Sequence, residues 1–181
     1  TSRYLDDGSL DISFGDGGNI NHNMGSYGRD EGVSASVRED GDILLFGWGT
    51  TEDRHQSRHW GVERINATGS SEQEIFVNWS NYEEVHSILE LPDGRVLAFG
   101  FDGDVNLAIS CHQADGTLDT SFGTNGQLSI PVLNGSDYGY RATLQADGKI
   151  LITGHSHNGQ DWDLIVVRTT YDGVLDETFN S

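Results

Sequence analysis

Asp40-Gly41-Asp42-Ile43-Leu44-Leu45-Phe46-Gly47 is the stretch whose reading decides the fold, because it comes back twice. It returns as Asp93-Gly94-Arg95-Val96-Leu97-Ala98-Phe99-Gly100 and as Asp147-Gly148-Lys149-Ile150-Leu151-Ile152-Thr153-Gly154, at offsets of 53 and 54 residues. Asp-Gly between two apolar runs is a hairpin signal, since glycine takes positive φ without strain and the resulting turn matches strand twist. A second motif, Asp7-Gly8-Ser9-Leu10-Asp11-Ile12-Ser13-Phe14-Gly15, recurs from Asp115 to Gly123 and from Asp172 to Phe179. Its middle copy is eroded to Thr68–Phe76. Periods of about 54 residues therefore fill the chain. They fall near 19–72, 73–126 and 127–181, with 1–18 as the end of a preceding blade, in a single domain.

Each period reads as strands. Val33–Arg38 pairs with Ile43–Trp48, Val85–Leu91 with Val96–Phe101, and Arg141–Gln145 with Ile150–Thr153. Third strands follow at Trp60–Ile65, Val105–Cys111 and Trp162–Thr170, and shorter fourth strands at Asn19–Asn23, Glu74–Val77 and Gln127–Val132. No stretch carries a helical stripe with caps. Four short antiparallel strands at this spacing are the mark of a β-propeller blade, so the expected class is all-β, with three four-stranded propeller-type blades. Closed rings typically have 4–8 blades. Either two chains join into a six-bladed ring or the blades belong to a longer array. The last period lacks a fourth strand while the first has a spare one, and the homodimer is the favoured expectation because the boundary falls on the repeat phase.

The chain has 181 residues, enough for one domain with a real core. Acidic residues number 29 against 10 basic ones, a net charge of −19, and Lys149 is the only lysine. A surface this negative is repelled by phosphate backbones and anionic lipid headgroups, which argues against nucleic-acid and membrane-surface partners. No apolar run approaches the roughly 20 residues that cross a bilayer as a helix. Cys111 is the only cysteine, so an intrachain disulfide is impossible. Acidity with almost no lysine is also how proteins of salty surroundings often look, which hints at an extracellular bacterial protein.

Leu144–Gly154 (LQADGKILITG) taken with Ala114–Gly126 (ADGTLDTSFGTNG) resembles the delta-60 repeat. The resemblance covers essentially the whole chain and is best in the third period. The second departs with Glu90, where leucine is expected, and the first lacks the Asp-Gly-x-Leu-Asp segment after its third strand. The resemblance implies β-propeller architecture, a secreted or surface location within large adhesin-like bacterial chains, and no agreed catalytic function.

Candidate sites follow from residue chemistry. The second aspartate of the long motif, Asp11, Asp119 or Asp176, suits calcium as a hard-cation ligand. Its competing role is to accept backbone N–H groups and fix the turn while Phe fills the space between blades. Asp102, Asp104, Asp161 and Asp163 are further loop carboxylates. His155 and His157, at i and i+2 on a strand, share a face. Trp48, Trp79, Tyr82, Tyr138 and Trp162 lie at strand ends, as do Trp60 and Tyr140. Tryptophan beside carboxylates is good at stacking on sugars or anchoring peptides, which makes the first five the candidate ligand-binding set for a glycan or peptide. Cys111 and His112 are adjacent on a strand and face opposite sides, so they form no dyad. No nucleophile elbow or phosphate-binding loop is present. The function expected is a non-catalytic structural or recognition module of an adhesin-like surface protein. The alternatives are a polysaccharide hydrolase using paired carboxylates and a pure spacer or dimerisation domain.

Overall fold

The computed structural model describes residues 1–21, 30–50, 58–77, 83–133 and 135–179. All regular elements among them are strands, in three antiparallel sheets. The first contains β1 (Asp30–Val37), β2 (Ile43–Thr50), β3 (Arg58–Ile65) and β4 (Ser71–Val77), in that order. The second contains β5 (Glu84–Glu90), β6 (Val96–Phe101), β7 (Leu107–His112) and β8 (Gln127–Ile130), and the third β9 (Asp137–Leu144), β10 (Ile150–His157) and β11 (Trp162–Thr169). These are propeller-type blades in an unclosed arrangement. The third has three strands among the described residues.

The Asp-Gly hairpins form as their chemistry requires. Gly41, Gly94 and Gly148 have φ of 88°, 87° and 82°. In each turn the aspartate Oδ1 accepts the backbone N–H two residues on, at 3.0, 3.1 and 3.2 Å. The sheets are cut differently from the repeat frame: each fourth strand, β4 or β8, closes the blade before it instead of opening the next. Val105 is a turn residue with φ of 60°, so the second blade's third strand begins at Leu107. Asn19 makes isolated bridges to Ser2 and Asp16, and the remainder of the expected Asn19–Asn23 strand reaches beyond the described residues.

Side chains of the middle strands bury on both faces, which is why β2 and β6 read as unbroken apolar runs. Leu44, Phe46, Trp60 and Val62 of the first blade pack with Val85, Val96, Ala98 and Ala108 of the second. Leu97, Phe99, Leu107 and Ile109 pack in turn with Ile150, Ile152, Ile165 and Val167 of the third. Phe14 and Ile20 cover Ile43, Leu45 and Ile65 on the other side of the first blade.

The long motif is the blade-to-blade fastener. Phe122 is fully buried, and the Gly123 N–H donates to the Asp172 carbonyl of the next blade at 2.9 Å. Phe14 and Gly15 repeat the arrangement on Thr68, also at 2.9 Å. The receiving glycine must be bare: a Cβ on Gly173 would lie 2.6 Å from Phe122 Cζ. In the eroded copy, Asn66 Oδ1 still fixes the turn by accepting the N–H groups of Thr68 and Ser70. The chain then passes straight into β4, and Ile75 reaches the Gly116 turn in place of a phenylalanine.

The first strands of the blades converge, β1 packing on β5 and β5 on β9, and this marks the axial side of the molecule. Each carries a bulge at the same place. Gly32 and Ser34 pair with Gly47 and Phe46, leaving Val33 extra. His86 is the extra residue in β5 and Tyr140 in β9. The glycines opposite, Gly47, Gly100 and Gly154, end the first repeated motif. A Cβ on any of them would collide with the carbonyl oxygen of Glu31, Glu84 or Tyr138 respectively.

Gly148 and Gly173 have φ of 82° and 78°, so alanine carries the same backbone strain at both, roughly 1–2 kcal/mol. Nothing lies within 4 Å of a Cβ on Gly148, whereas on Gly173 it meets the Phe122 ring. Gly173→Ala is therefore expected to destabilise by a further ~1–3 kcal/mol in denaturant unfolding. Equal losses for the two variants would contradict the fastener.

Candidate functional site

The three bulges re-aim side chains toward the axis, a common use of such irregularities beside binding sites. Val33, His86 and Tyr140 all line one cleft of about 400 Å³, together with Glu31, Trp48, Arg58, Glu84 and Arg141. A smaller neighbouring cleft of about 220 Å³ shares Val33, His86 and Arg141 and adds Ser34, Ser87 and Ile88. The lining is a set of equivalent repeat positions. Val33, His86 and Tyr140 correspond to one another, as do Ser34, Ser87 and Arg141.

His86 stacks on Tyr140, with ring centroids 4.7 Å apart and planes 15° from parallel. Its Nδ1 lies 3.0 Å from the Gly139 carbonyl oxygen, to which Nδ1–H donates. Burial, with the nearby Arg141 charge adding to it, holds the His86 pKa below its ordinary value, so at neutral pH the ring is uncharged and Nε2 is an acceptor. Arg58 is ion-paired with Glu84 and lies 4.3 Å over the Trp48 ring. The cleft thus combines carboxylate and imidazole acceptors, guanidinium donors and aromatic surface. Such a mixture suits a small polar ligand better than an apolar one.

The sequence candidates fall in different places. Trp48 is buried in the cleft wall. Tyr138 is half-buried, 4.9 Å from the Phe101 ring and 5.1 Å from His155. Trp162 is 52% exposed on the outer face of the third blade, against His155 at 4.5 Å and His157 at 4.9 Å. Trp79 and Tyr82 lie outside the described residues. His86 and Arg141 were not singled out from sequence. Their signal was the repeat frame itself, since each is aligned with a bulge-proximal position in the other blades.

The three motif aspartates occupy equivalent turns and already hold cations. Asp11 Oδ2 accepts from Arg3 Nε at 2.8 Å, and Asp176 Oδ2 from Arg168 Nε at 2.8 Å. The residue at the matching β7 position is Cys111, and Asp119 is served instead by Arg95 Nη1 at 2.9 Å. The other oxygen of each aspartate accepts a hydroxyl, from Ser13, Ser121 or Thr178, at 2.6 Å. These hydroxyls first, with the backbone N–H groups of the turns and the basic partners adding to them, hold the three carboxyls below the usual carboxylate range. A calcium ion would have to displace a guanidinium. Among the described residues no three His, Cys, Asp or Glu side chains converge as a metal site. Asp102 is similarly engaged, accepting the N–H groups of Asp104 and Asn106 at 3.0 and 2.9 Å and the Ser129 hydroxyl. Asp161 and Asp163 both accept from Asn158 Nδ2.

A family described as "Domain of unknown function (DUF5122) beta-propeller" matches residues 145–179, which take in β10, β11 and the Asp172–Phe179 segment. No curated protein matches the chain.

Cys111 and His112 are both buried, and they point apart. Burial pushes the Cys111 thiol up to about 12, which leaves it protonated at neutral pH. His112 Nδ1–H donates to the Gly116 carbonyl at 2.9 Å, and the Ser110 hydroxyl donates to Nε2 at 2.8 Å. The neutral ring satisfies both bonds, and burial lowers its pKa from 6.5 to about 4. Between those values the unfolded chain binds a proton that the folded chain refuses. Stability therefore falls as pH drops from 6.5 toward 4, by up to ~3 kcal/mol from this residue. His112→Gln should flatten that part of the pH profile of unfolding. An unchanged profile would contradict the assignment.

Proposed function

We propose that the chain is a non-catalytic recognition module, built of delta-60-type propeller repeats in a secreted or surface-anchored bacterial protein of adhesin type. It takes a small polar ligand, a glycan or a short peptide, in the axial cleft. The observation that carries this reading is the convergence of Val33, His86 and Tyr140, three equivalent bulge residues, on one cleft walled by Trp48. Sequence divergence at equivalent positions of a repeated frame is how a symmetric scaffold acquires a specific surface. Binding and not hydrolysis is favoured because Glu84, one of the two cleft carboxylates, is already engaged by Arg58.

A self-association role has its own support. Leu164 and Val166 are 85% and 43% exposed on the third blade, although their counterparts Leu107 and Ile109 are fully buried against the next blade. A second copy of the chain is the partner this face favours, and a two-chain mass in sedimentation would support it.

Amide-resolved NMR titration with glycan and peptide panels tests the recognition reading. Shifts are expected at β1, β5 and β9, and His86→Ala and Tyr140→Ala should each weaken binding about tenfold, the range of a ~1.4 kcal/mol contact. Shifts confined to other surfaces, or turnover of a polysaccharide abolished by Glu31→Gln, would overturn it.

A further inference from the structure

Within the recognition reading, on which this step rests, we infer that Arg141 and Ser87 form an oxyanion subsite of the axial cleft and that the ligand is a sugar bearing one carboxylate, a uronic acid. The first observation is charge. Arg3, Arg58, Arg64, Arg95, Lys149 and Arg168 each hold a carboxylate. Arg141 does not. Its one hydrogen bond runs from Nη1 to the neighbouring Tyr140 carbonyl at 3.0 Å. In a chain of net charge −19, an arginine left without an acid is the exception among the described residues. Arg38 also lacks one, but it spends its donors on Ser36 Oγ and the Gly94 carbonyl at the hairpin end of the blades.

The second observation is independent of charge. Ser87 is 7% exposed, and its Oγ has no hydrogen-bond partner. Leaving a buried hydroxyl unpaired is costly, so such groups call for a partner. Ser87 lines the same small cleft as Arg141 and His86, with Ser34 beside them. A guanidinium fork and a serine hydroxyl lining one cleft suit a carboxylate, which accepts two parallel N–H bonds and one O–H bond, the covered Ser87 hydroxyl turning outward to reach it.

The rest of the cleft restricts what carries that carboxylate. Glu31 and Glu84 accept hydroxyl donors and repel a second negative charge, which disfavours polyphosphates and densely sulfated chains. His86 Nε2 lies 3.7 Å from Glu84 Oε2, so the two line the same wall of the cleft. Tyr140, 36% exposed and stacked on His86, offers aromatic surface to the C–H face of a sugar ring.

Galacturonate and glucuronate, with galactose and glucose as neutral counterparts, test the inference by NMR titration of the intact chain. The acids are expected to bind at least tenfold more tightly than the neutral sugars, and less tightly as salt is raised. Arg141→Gln should abolish that preference, Arg141→Lys should retain part of it for want of the fork, and Ser87→Ala should weaken the acids several-fold. Unchanged melting temperatures establish that these variants fold. Equal affinity of acid and neutral sugars, or unaltered uronate binding by Arg141→Gln, overturns the inference. Titration of cleft amides by a neutral glycan or a peptide but not by either acid also overturns it, and leaves the recognition reading standing. If no compound titrates the cleft, both fall.

Discussion

Three backbone carbonyl oxygens, those of Glu31, Glu84 and Tyr138, occupy the space that a side chain on Gly47, Gly100 or Gly154 would need. Much of the axial surface depends on that exclusion. Because the opposite residue is bare, the inner strand of each blade can bulge, and the extra residue turns out of the ladder toward the axis. The repeat thus spends an invariant position of its first motif on making a variable one elsewhere. Valine, histidine and tyrosine stand at the three equivalent places, and the cleft they form is unlike any of them alone.

A second constraint holds the blades in register. The aspartate, hydroxyl and phenylalanine of the long motif fold into one turn, with the ring pressed on a glycine of the next blade. Basic side chains tie into the same turn. Arg3 lies 4.3 Å over Phe14, Arg168 lies 4.5 Å over Phe179, and Arg95 reaches Tyr171 of the neighbouring blade at 4.8 Å. Where the second blade has Cys111 in place of the arginine, Arg95, just before β6, supplies the charge to Asp119. Part of the acidity of the chain is therefore internal scaffolding, and the few cations are mostly committed to it.

The architecture was legible because hairpin chemistry is local: Asp-Gly between apolar runs specifies a turn and two strands with little help from distant residues. Strand ends were less so. The positive φ at Val105, a β-branched residue, is imposed by the Asp102 turn and not by its own preference. The site was legible only in part. Trp48, inside β2, walls the cleft, but aromatic residues near strand ends also pack between blades, as Tyr138 does on Phe101. His86 and Arg141 carry no motif of their own. Their meaning arises from register, since one unpaired residue per inner strand decides which side chains meet at the axis, and register is a property of the folded sheet.

The exclusion by backbone carbonyls is the claim on which the cleft depends, and the unfolding free energy of Gly100→Ala tests it directly. Alanine in a regular strand is ordinarily better than glycine by roughly 0.5–1 kcal/mol. Opposite the bulge, its Cβ meets the Glu84 carbonyl and lies 2.9 Å from Trp60 Cζ2. The account predicts a loss of about 2 kcal/mol or more, as for other overpacked sites. A variant as stable as the parent, or more stable, would contradict it.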